Sequence, residues 1–491
     1  MTVTVKRLPN KFCPDPTRVI ARFYLPGSGD GERAKIIINR ILAFSDQEVS
    51  LALSEVLADF SSRHRNITKI FEKNFDTVKD ILASDPGIFP KPLSLKRKLL
   101  IGSYFTSEYA IEAAAFFNPS MIEDPNQGNR EEEEKRVIVS FRAVGEGHIS
   151  SIVFRSGVLT RNNELIFKPA GGFVDLPETI KRHVYDKKHF LEKLHEMHVQ
   201  KDIIGAVMDR LGDTFTYRDL QKSIAESTQA ITLSYTKKKV IDSINWLASS
   251  HYEITFSLDT DISERVIFPV SAHESNGIED ARFVKFIDDD GGVTYFATYT
   301  AFDGYTILPK SIETKDFYHF KISPIHGEYT QNKNLALFPR KIKGKYAMIS
   351  RYDGFNNYLM FSDDIHVWHD ARKIQEPQYP WEFIQLGNCG SPLETEKGWL
   401  LITHGVGPMR RYSLGAVLLD LEDPSRIIGQ LREPLLIANE EEREGYVPNV
   451  VYSCGSLIRN GDLIIPYGMS DYASGFATVK VDELLNKLLN N

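Results

Sequence analysis

The most constraining feature of this chain is the kind of periodicity it carries and where that periodicity changes. Most of the sequence alternates apolar and polar residues in short runs, as in Val137, Val139 and Phe141, Tyr295 with Ala297, and Leu400 with Ile402. Turn signals recur between the runs, at Asp290-Gly291-Gly292, Asp303-Gly304, Asp353-Gly354 and Asn460-Gly461-Asp462. A two-residue period bounded by Gly and Asn or Asp is the signature of strands joined by tight turns. No helix follows each strand, so a βαβ fold is excluded, and a sandwich, barrel or propeller remains. Roughly 320 residues of this kind exceed one sandwich, whereas a propeller absorbs them at about 40–50 residues per four-stranded blade. The internal repeat is too faint to give the number of blades.

Helical spacing is confined to two windows. In 34–83, Ser45-Asp46-Gln47-Glu48 has the form of a capping box, followed by Val49, Leu53, Val56, Leu57 and Phe60. Ile67, Ile70, Phe71, Phe75, Val78, Ile81 and Leu82 then predict a second helix, stopped by Asp85-Pro86-Gly87. The expectation is a helical hairpin. In 176–250, Phe190, Leu191, Leu194 and Met197 mark one amphipathic stretch, Ile203, Ile204, Val207 and Leu211 another, and Val240, Ile241, Ile244 and Leu247 a third. Lys237-Lys238-Lys239 opens the last of these and reads as the solvated face of a helix. The expected organisation is therefore 1–100 as an N-terminal segment with a helical hairpin and 101–175 as the first part of a β-propeller. A helical insertion at 176–250 follows, and 251–491 is the remainder of the propeller with a C-terminal helix.

Composition narrows the function. Of 491 residues, 59 are Lys or Arg and 66 are Asp or Glu, a formal net charge of −7 that argues against binding nucleic acid through bulk positive charge. Three cysteines, Cys13, Cys389 and Cys454, form no C-x-x-C pair and fit a reducing cytoplasm. The opening MTVTVKRLPNKF lacks a signal-peptide core, and no apolar run approaches the ~18 residues of a membrane span. The expectation is a cytoplasmic protein with no membrane or nucleic-acid partner. Metal spacings, a P-loop, a nucleophile elbow and a dinucleotide motif are all missing, so no metal and no cofactor are expected.

Four polar clusters sit at strand ends beside glycine. Glu279-Asp280-Ala281-Arg282 could hold a carboxylic acid against a guanidinium, or could be a turn with a structural ion pair. Lys333-Asn334, Arg340-Lys341 and Arg351 place basic groups at adjacent strand ends, which suits a small oxyanion or merely an exposed turn. The strand Gly398–Gly405 delivers His404 to its end, as a site residue or as a satisfied core histidine. Tyr446–Gly455, followed by Tyr467-Gly468-Met469-Ser470-Asp471, is the fourth.

Taken together, these stretches resemble glycoside hydrolase family 130, the mannoside phosphorylases and β-1,2-mannosidases, over about 101–175 and 251–480. The similarity rests on Glu279-Asp280-Ala281-Arg282 for the family's E-D-P-R, Tyr299-Thr300-Ala301-Phe302-Asp303-Gly304, and Lys333-Asn334 before Leu337-Phe338-Pro339. It continues through Thr395–Leu400 to His404-Gly405, Tyr412-Ser413-Leu414-Gly415, and Leu419-Asp420-Leu421 before Asp423-Pro424. The resemblance implies a five-bladed β-propeller and inverting phosphorolysis of β-1,2- or β-1,4-linked manno-oligosaccharides to α-mannose 1-phosphate. It implies Asp280 as the general acid. Phosphate, a co-substrate, would be held by Arg142, Asn334, Arg351, His404 and Tyr412, and the sugar by Asn118, Glu279, Arg282, Asp303, Lys333 and Asp471. Ala281 stands where the family has proline, and Lys333 where an arginine is common. The helical windows have no counterpart in compact members, and are candidates for an oligomer interface or a wall of the acceptor subsite. Two other functions stay open: an inverting mannosidase, with a second carboxylate ~6.5–9.5 Å from the acid, and a non-catalytic carbohydrate-binding propeller.

Overall fold

The computed structural model describes residues 3–27, 31–83, 87–89, 92–128, 134–180, 184–197, 199, 201–228 and 235–490. The chain is mainly β. Among the described residues, five antiparallel sheets of four or more strands follow one another along the sequence. The first contains Ala115–Glu123, Lys135–Val144 and Ser150–Leu159, and the second opens with Ile278–Ile287, Val293–Phe302 and Ile307–Thr314. The third runs from Ala336–Leu337 through Tyr346–Ser350 and Asn357–Ser362 to Ala371–Gln375. The fourth is built on Gln385–Asn388, Gly398–Val406 and Tyr412–Leu419, the fifth on Val451–Tyr452, Asp462–Met469 and Ala473–Lys480. The alternating residues read from the sequence fall in these strands.

Each sheet buries one face against the next. Phe154 packs with Phe283 and Phe320 between the first and second sheets, and Phe286 with Leu337 and Trp368 between the second and third. Phe338 and Trp399 meet edge to face, 5.1 Å between centroids, between the third and fourth. Leu400 and Leu418 meet Ile465 and Ala477 between the fourth and fifth. The fifth then shares Ile464 and Phe476 with Val139 and Phe141 of the first. The five cores thus form a closed cycle.

One strand that the periodicity did not announce links the two ends of the chain. Val5–Phe12 pairs with Ala473–Lys480, Val5 opposite Val479, as the outer strand of the fifth sheet. Its alternation is broken by Pro9, which has no N–H to donate and is tolerated because this strand lies at an edge.

The expected hairpin in 34–83 is more elaborate. Glu32–Leu42, Asp46–Phe60, Ile67–Ile81 and Leu95–Tyr104 are four helices around Ile38, Phe71, Phe75 and Leu100. The capping box is present: the Ser45 amide donates to Glu48 Oε2 at 2.7 Å, and the Glu48 amide to Ser45 Oγ at 3.3 Å. Gly102 allows the last helix to lie on the third, since a Cβ there would fall 1.9 Å from the Phe71 carbonyl oxygen. Asp85-Pro86 of the expected stop lies outside the described residues. In 176–250 the helices are Lys187–Glu196, Lys201–Met208, Tyr217–Thr228 and Tyr235–Ser249, packed through Phe190, Leu194, Leu220 and Ile244. Lys238 and Lys239 are exposed, as a solvated helix face requires.

Candidate active site

The innermost strands of three sheets each carry or directly follow a residue that breaks ladder geometry. Asn118 (φ 50°), Asp280 (φ 58°) and Asn334 (φ 73°) all have left-handed backbones, and Gly390 (φ 107°) takes the matching place in the fourth sheet. Pairing slips beside two of them, between Phe117 and Ser120 and between Glu279 and Arg282. A bulge of this kind re-aims a side chain that a regular strand would point into a sheet face. Non-glycine residues in this region are uncommon, and Asn and Asp tolerate it best. The carboxamides and the carboxylate therefore meet at one end of the sheet cycle.

Asp280 accepts from Asn118 Nδ2 at 2.7 Å, and Arg142 Nη1 stands 3.7 Å from the same oxygen. Arg142 Nη2 donates to Glu279 Oε1 at 2.7 Å, and Lys333 Nζ donates to Glu279 Oε2. Burial disfavours the Glu279 charge, but Arg142 and Lys333 outweigh it and hold the carboxyl below its ordinary pKa. The guanidinium expected beside the acid is therefore Arg142. Arg282, the sequence candidate, is turned away by the bulge and buried, donating to Asn388 O and Oδ1 (3.1 and 2.8 Å) and to the Tyr452 hydroxyl (2.6 Å). It is neither an ion-pair partner of Asp280 nor open to a sugar; it braces the floor of the site.

A second group lies beside the first. Arg351 Nη1 donates to His404 Nε2 at 3.3 Å, with His404 Nδ1 3.3 Å from the Asn388 carbonyl oxygen, so the Nδ1–H tautomer satisfies both contacts. Burial, then Arg351 and Arg282, push the His404 pKa well below its ordinary 6.5, so the ring is neutral. Its face stacks on Tyr412 at 5.9 Å, and the Tyr412 hydroxyl accepts from Gln385 at 3.3 Å. Asn334 Nδ2 donates to Asn388 O and to the Tyr452 hydroxyl. Arg351 is only 8% exposed, its Nε has no partner, and among the described residues no carboxylate forms an ion pair with it. Burial lowers its pKa, as expected for a cation stripped of water without a counter-charge.

Asp471, with a left-handed backbone, is raised to about 6, first by burial, with Asp280 and Glu279 adding to the shift and Arg142 opposing it. It is protonated below that value and ionised above it, where it is the stronger acceptor for a sugar hydroxyl. The KM for a saccharide should therefore fall as pH rises through about 6, and this inflection should vanish in Asp471→Asn, read from KM–pH profiles of both proteins.

Asp303 stands apart. Its Oδ1 accepts from the Tyr305 and Thr306 amides (2.9 and 2.7 Å) and its Oδ2 from the Thr306 hydroxyl (2.7 Å), so the turn occupies both oxygens expected to hold sugar. One residue that sequence reasoning passed over, and one that lay in the fourth cluster without an assigned role, are central. Asn388, fully buried, binds Arg282, Asn334 and His404, and Tyr452 binds Arg282 and Asn334. The signal was the repeat of Cys389-Gly390-Ser391 in Cys454-Gly455-Ser456, which marks equivalent inner positions of the fourth and fifth sheets. Cys389 and Cys454 are buried free thiols whose pKa burial raises, which makes them packing residues rather than nucleophiles.

The family model for glycoside hydrolase family 130, described as beta-1,4-mannooligosaccharide phosphorylase, matches residues 231–490. The 1,2-beta-oligomannan phosphorylase of Thermoanaerobacter sp. (strain X514) is 37% identical over 228 residues, 44% of this chain and 74% of that protein. The beta-1,2-mannobiose phosphorylase of Listeria innocua serovar 6a is 29% identical over 243 residues, 48% of this chain and 65% of that protein. The solved structure of the Listeria innocua enzyme with beta-1,2-mannobiose aligns with a TM-score of 0.47 at 23% identity, covering 78% of this chain and 94% of that one.

Proposed function

The chain belongs to glycoside hydrolase family 130, and from that premise we propose that it cleaves β-1,2- or β-1,4-linked manno-oligosaccharides by inverting phosphorolysis. Asp280 supplies the proton that the glycosidic oxygen needs as its bond to the anomeric carbon breaks, relayed through a hydroxyl of the substrate. A phosphate oxygen attacks that carbon from the opposite face, so the products are α-mannose 1-phosphate and the shortened saccharide. Glu279, Lys333 and Asn118 fix the acid and its surroundings, and Asp471 accepts from the sugar.

The observation that carries this reading is Arg351. A buried guanidinium with an orphan Nε and no carboxylate partner is costly unless an anion completes it. Phosphate does so, with the Tyr412 hydroxyl as a neutral donor at its edge, while Asn334, whose two Nδ2 hydrogens go to the Asn388 carbonyl oxygen and the Tyr452 hydroxyl, braces the floor beneath it. His404, being neutral and accepting from Arg351, orients the guanidinium rather than adding charge. Arg142 is already engaged by Glu279, so it couples the phosphate to the acid rather than forming the centre of the phosphate site.

The same reading takes the closed cycle of five sheet cores as a five-bladed propeller, with Val5–Phe12 locking the last blade. It divides the chain into an N-terminal segment 1–100, which carries the outer strand Val5–Phe12 and most of the first group of helices, a helical insertion in 176–250, and a propeller in 101–175 and 251–491. The helical groups offer surfaces for a homo-oligomer. No cofactor is asked for beyond phosphate as co-substrate, and no nucleic acid or membrane as partner; no described helix is long and apolar enough to cross a bilayer. Three free thiols, one of them the exposed Cys13, fit the reducing cytoplasm. Incubation with β-1,2- and β-1,4-mannobiose, with and without phosphate, tests the reaction: mannose 1-phosphate should form only with phosphate. Free mannose released at the same rate without phosphate would make the enzyme an inverting mannosidase.

A further inference from the structure

In each of the five larger sheets the second strand ends at or beside a candidate site residue, namely Arg142, Asp303, Arg351, His404 and Asp471, and runs into a hairpin tip. Most of these tips expose large apolar side chains: Tyr305 is 96% exposed, Met409 91% and Phe355 49%. Apolar groups at such tips and open to water are the informative departure from normal burial.

Two of these tips are built alike. In Asp303-Gly304-Tyr305 and Asp353-Gly354-Phe355 the Asp Oδ1 accepts from the aromatic residue's amide (2.9 and 3.0 Å) and from the next amide (2.7 and 2.9 Å). The glycines have φ of 96° and 92°, which an ordinary side chain rarely adopts. Each aromatic is thus presented by a turn fixed in advance, and Asp303 is part of that turn. The first tip is tied to the acid: Phe302 N donates to Gly277 O and Asn276 N to Phe302 O, and Asn276 lies four residues before Asp280, at most ~13 Å along a strand. The second is tied to the anion site: Leu386 N donates to the Phe355 carbonyl oxygen, two residues before Asn388.

Resting on the mannoside reading above, we infer that Tyr305 and Phe355 are stacking platforms for sugars beyond the pair that flanks the cleaved bond, so that the enzyme prefers chains longer than a disaccharide. A pyranose has a face of C–H groups that an aromatic ring can cover, while its hydroxyls stay in water at the rim. Asp303 is a positioning residue for the first platform.

The test compares kcat/KM for mannotetraose and mannobiose of whichever linkage the enzyme cleaves. Wild type should favour the tetraose, and Tyr305→Ala and Phe355→Ala should each lower that ratio about tenfold, the factor that one good ring contact commands. Tyr305→Phe should keep the ratio, and Asp303→Ala should reproduce the loss seen in Tyr305→Ala. An unchanged ratio in both alanine variants, or a wild type indifferent to chain length, overturns the inference. Release of mannose without phosphate overturns only the phosphorolytic reading, because the ratio is read equally well from hydrolysis.

Discussion

Asp280→Asn is expected to lower turnover of a natural mannoside by ~10²–10⁴-fold, the usual worth of a positioned general acid. The substitution keeps the shape of the side chain and removes its transferable proton. The fold should survive it for two local reasons. Asparagine tolerates the left-handed backbone at this position as well as aspartate does. Its Oδ1 can still accept from Asn118 Nδ2, so the contact at 2.7 Å is retained. Steady-state kinetics on mannobiose with saturating phosphate, alongside a thermal melt, separate the two effects. Near-native turnover in a protein that melts at the wild-type temperature would take the acid's role away from Asp280.

The strand pattern was legible in the sequence for physical reasons. A two-residue period and Asp-Gly turns depend on local chemistry, and the chain obeys them, as at Val137–Phe141 and Asp353-Gly354. What local chemistry could not reveal was partnership. Arg282 lies beside Asp280 in sequence, yet the bulge between Glu279 and Arg282 sends its guanidinium to Asn388 and Tyr452. Arg142, far off in sequence, takes the place beside the acid because Lys135–Val144 packs next to Ile278–Ile287. The pairing of Val5–Phe12 with the C-terminal strand was hidden for a related reason, since an edge strand with Pro9 keeps only part of the alternation. The roles of Asp303 and Asn388 depend on turns and on equivalence between sheets, which a faint repeat barely records.

Arg351→Ala is expected to raise the KM for phosphate by about 10–150-fold, with a much smaller effect on the KM for the mannoside. A hydrogen bond to a charged group contributes about 1.5–3 kcal/mol, and every 1.4 kcal/mol is a factor of ten. The buried position of Arg351 and its orphan Nε mean that water competes poorly for the contact. Two controls give this outcome its meaning. Arg142→Ala should lower kcat as well as weaken phosphate binding, because Arg142 touches both Glu279 and Asp280. His404→Gln can still accept from Arg351 through its side-chain oxygen and should raise the phosphate KM less than Arg351→Ala does. Kinetics over a wide phosphate range at fixed mannobiose distinguish these patterns. A phosphate KM in Arg351→Ala equal to that of wild type would mean that Arg351 does not bind phosphate. The anion site would then have to be sought around Arg142 and Lys333, whose partner is now Glu279.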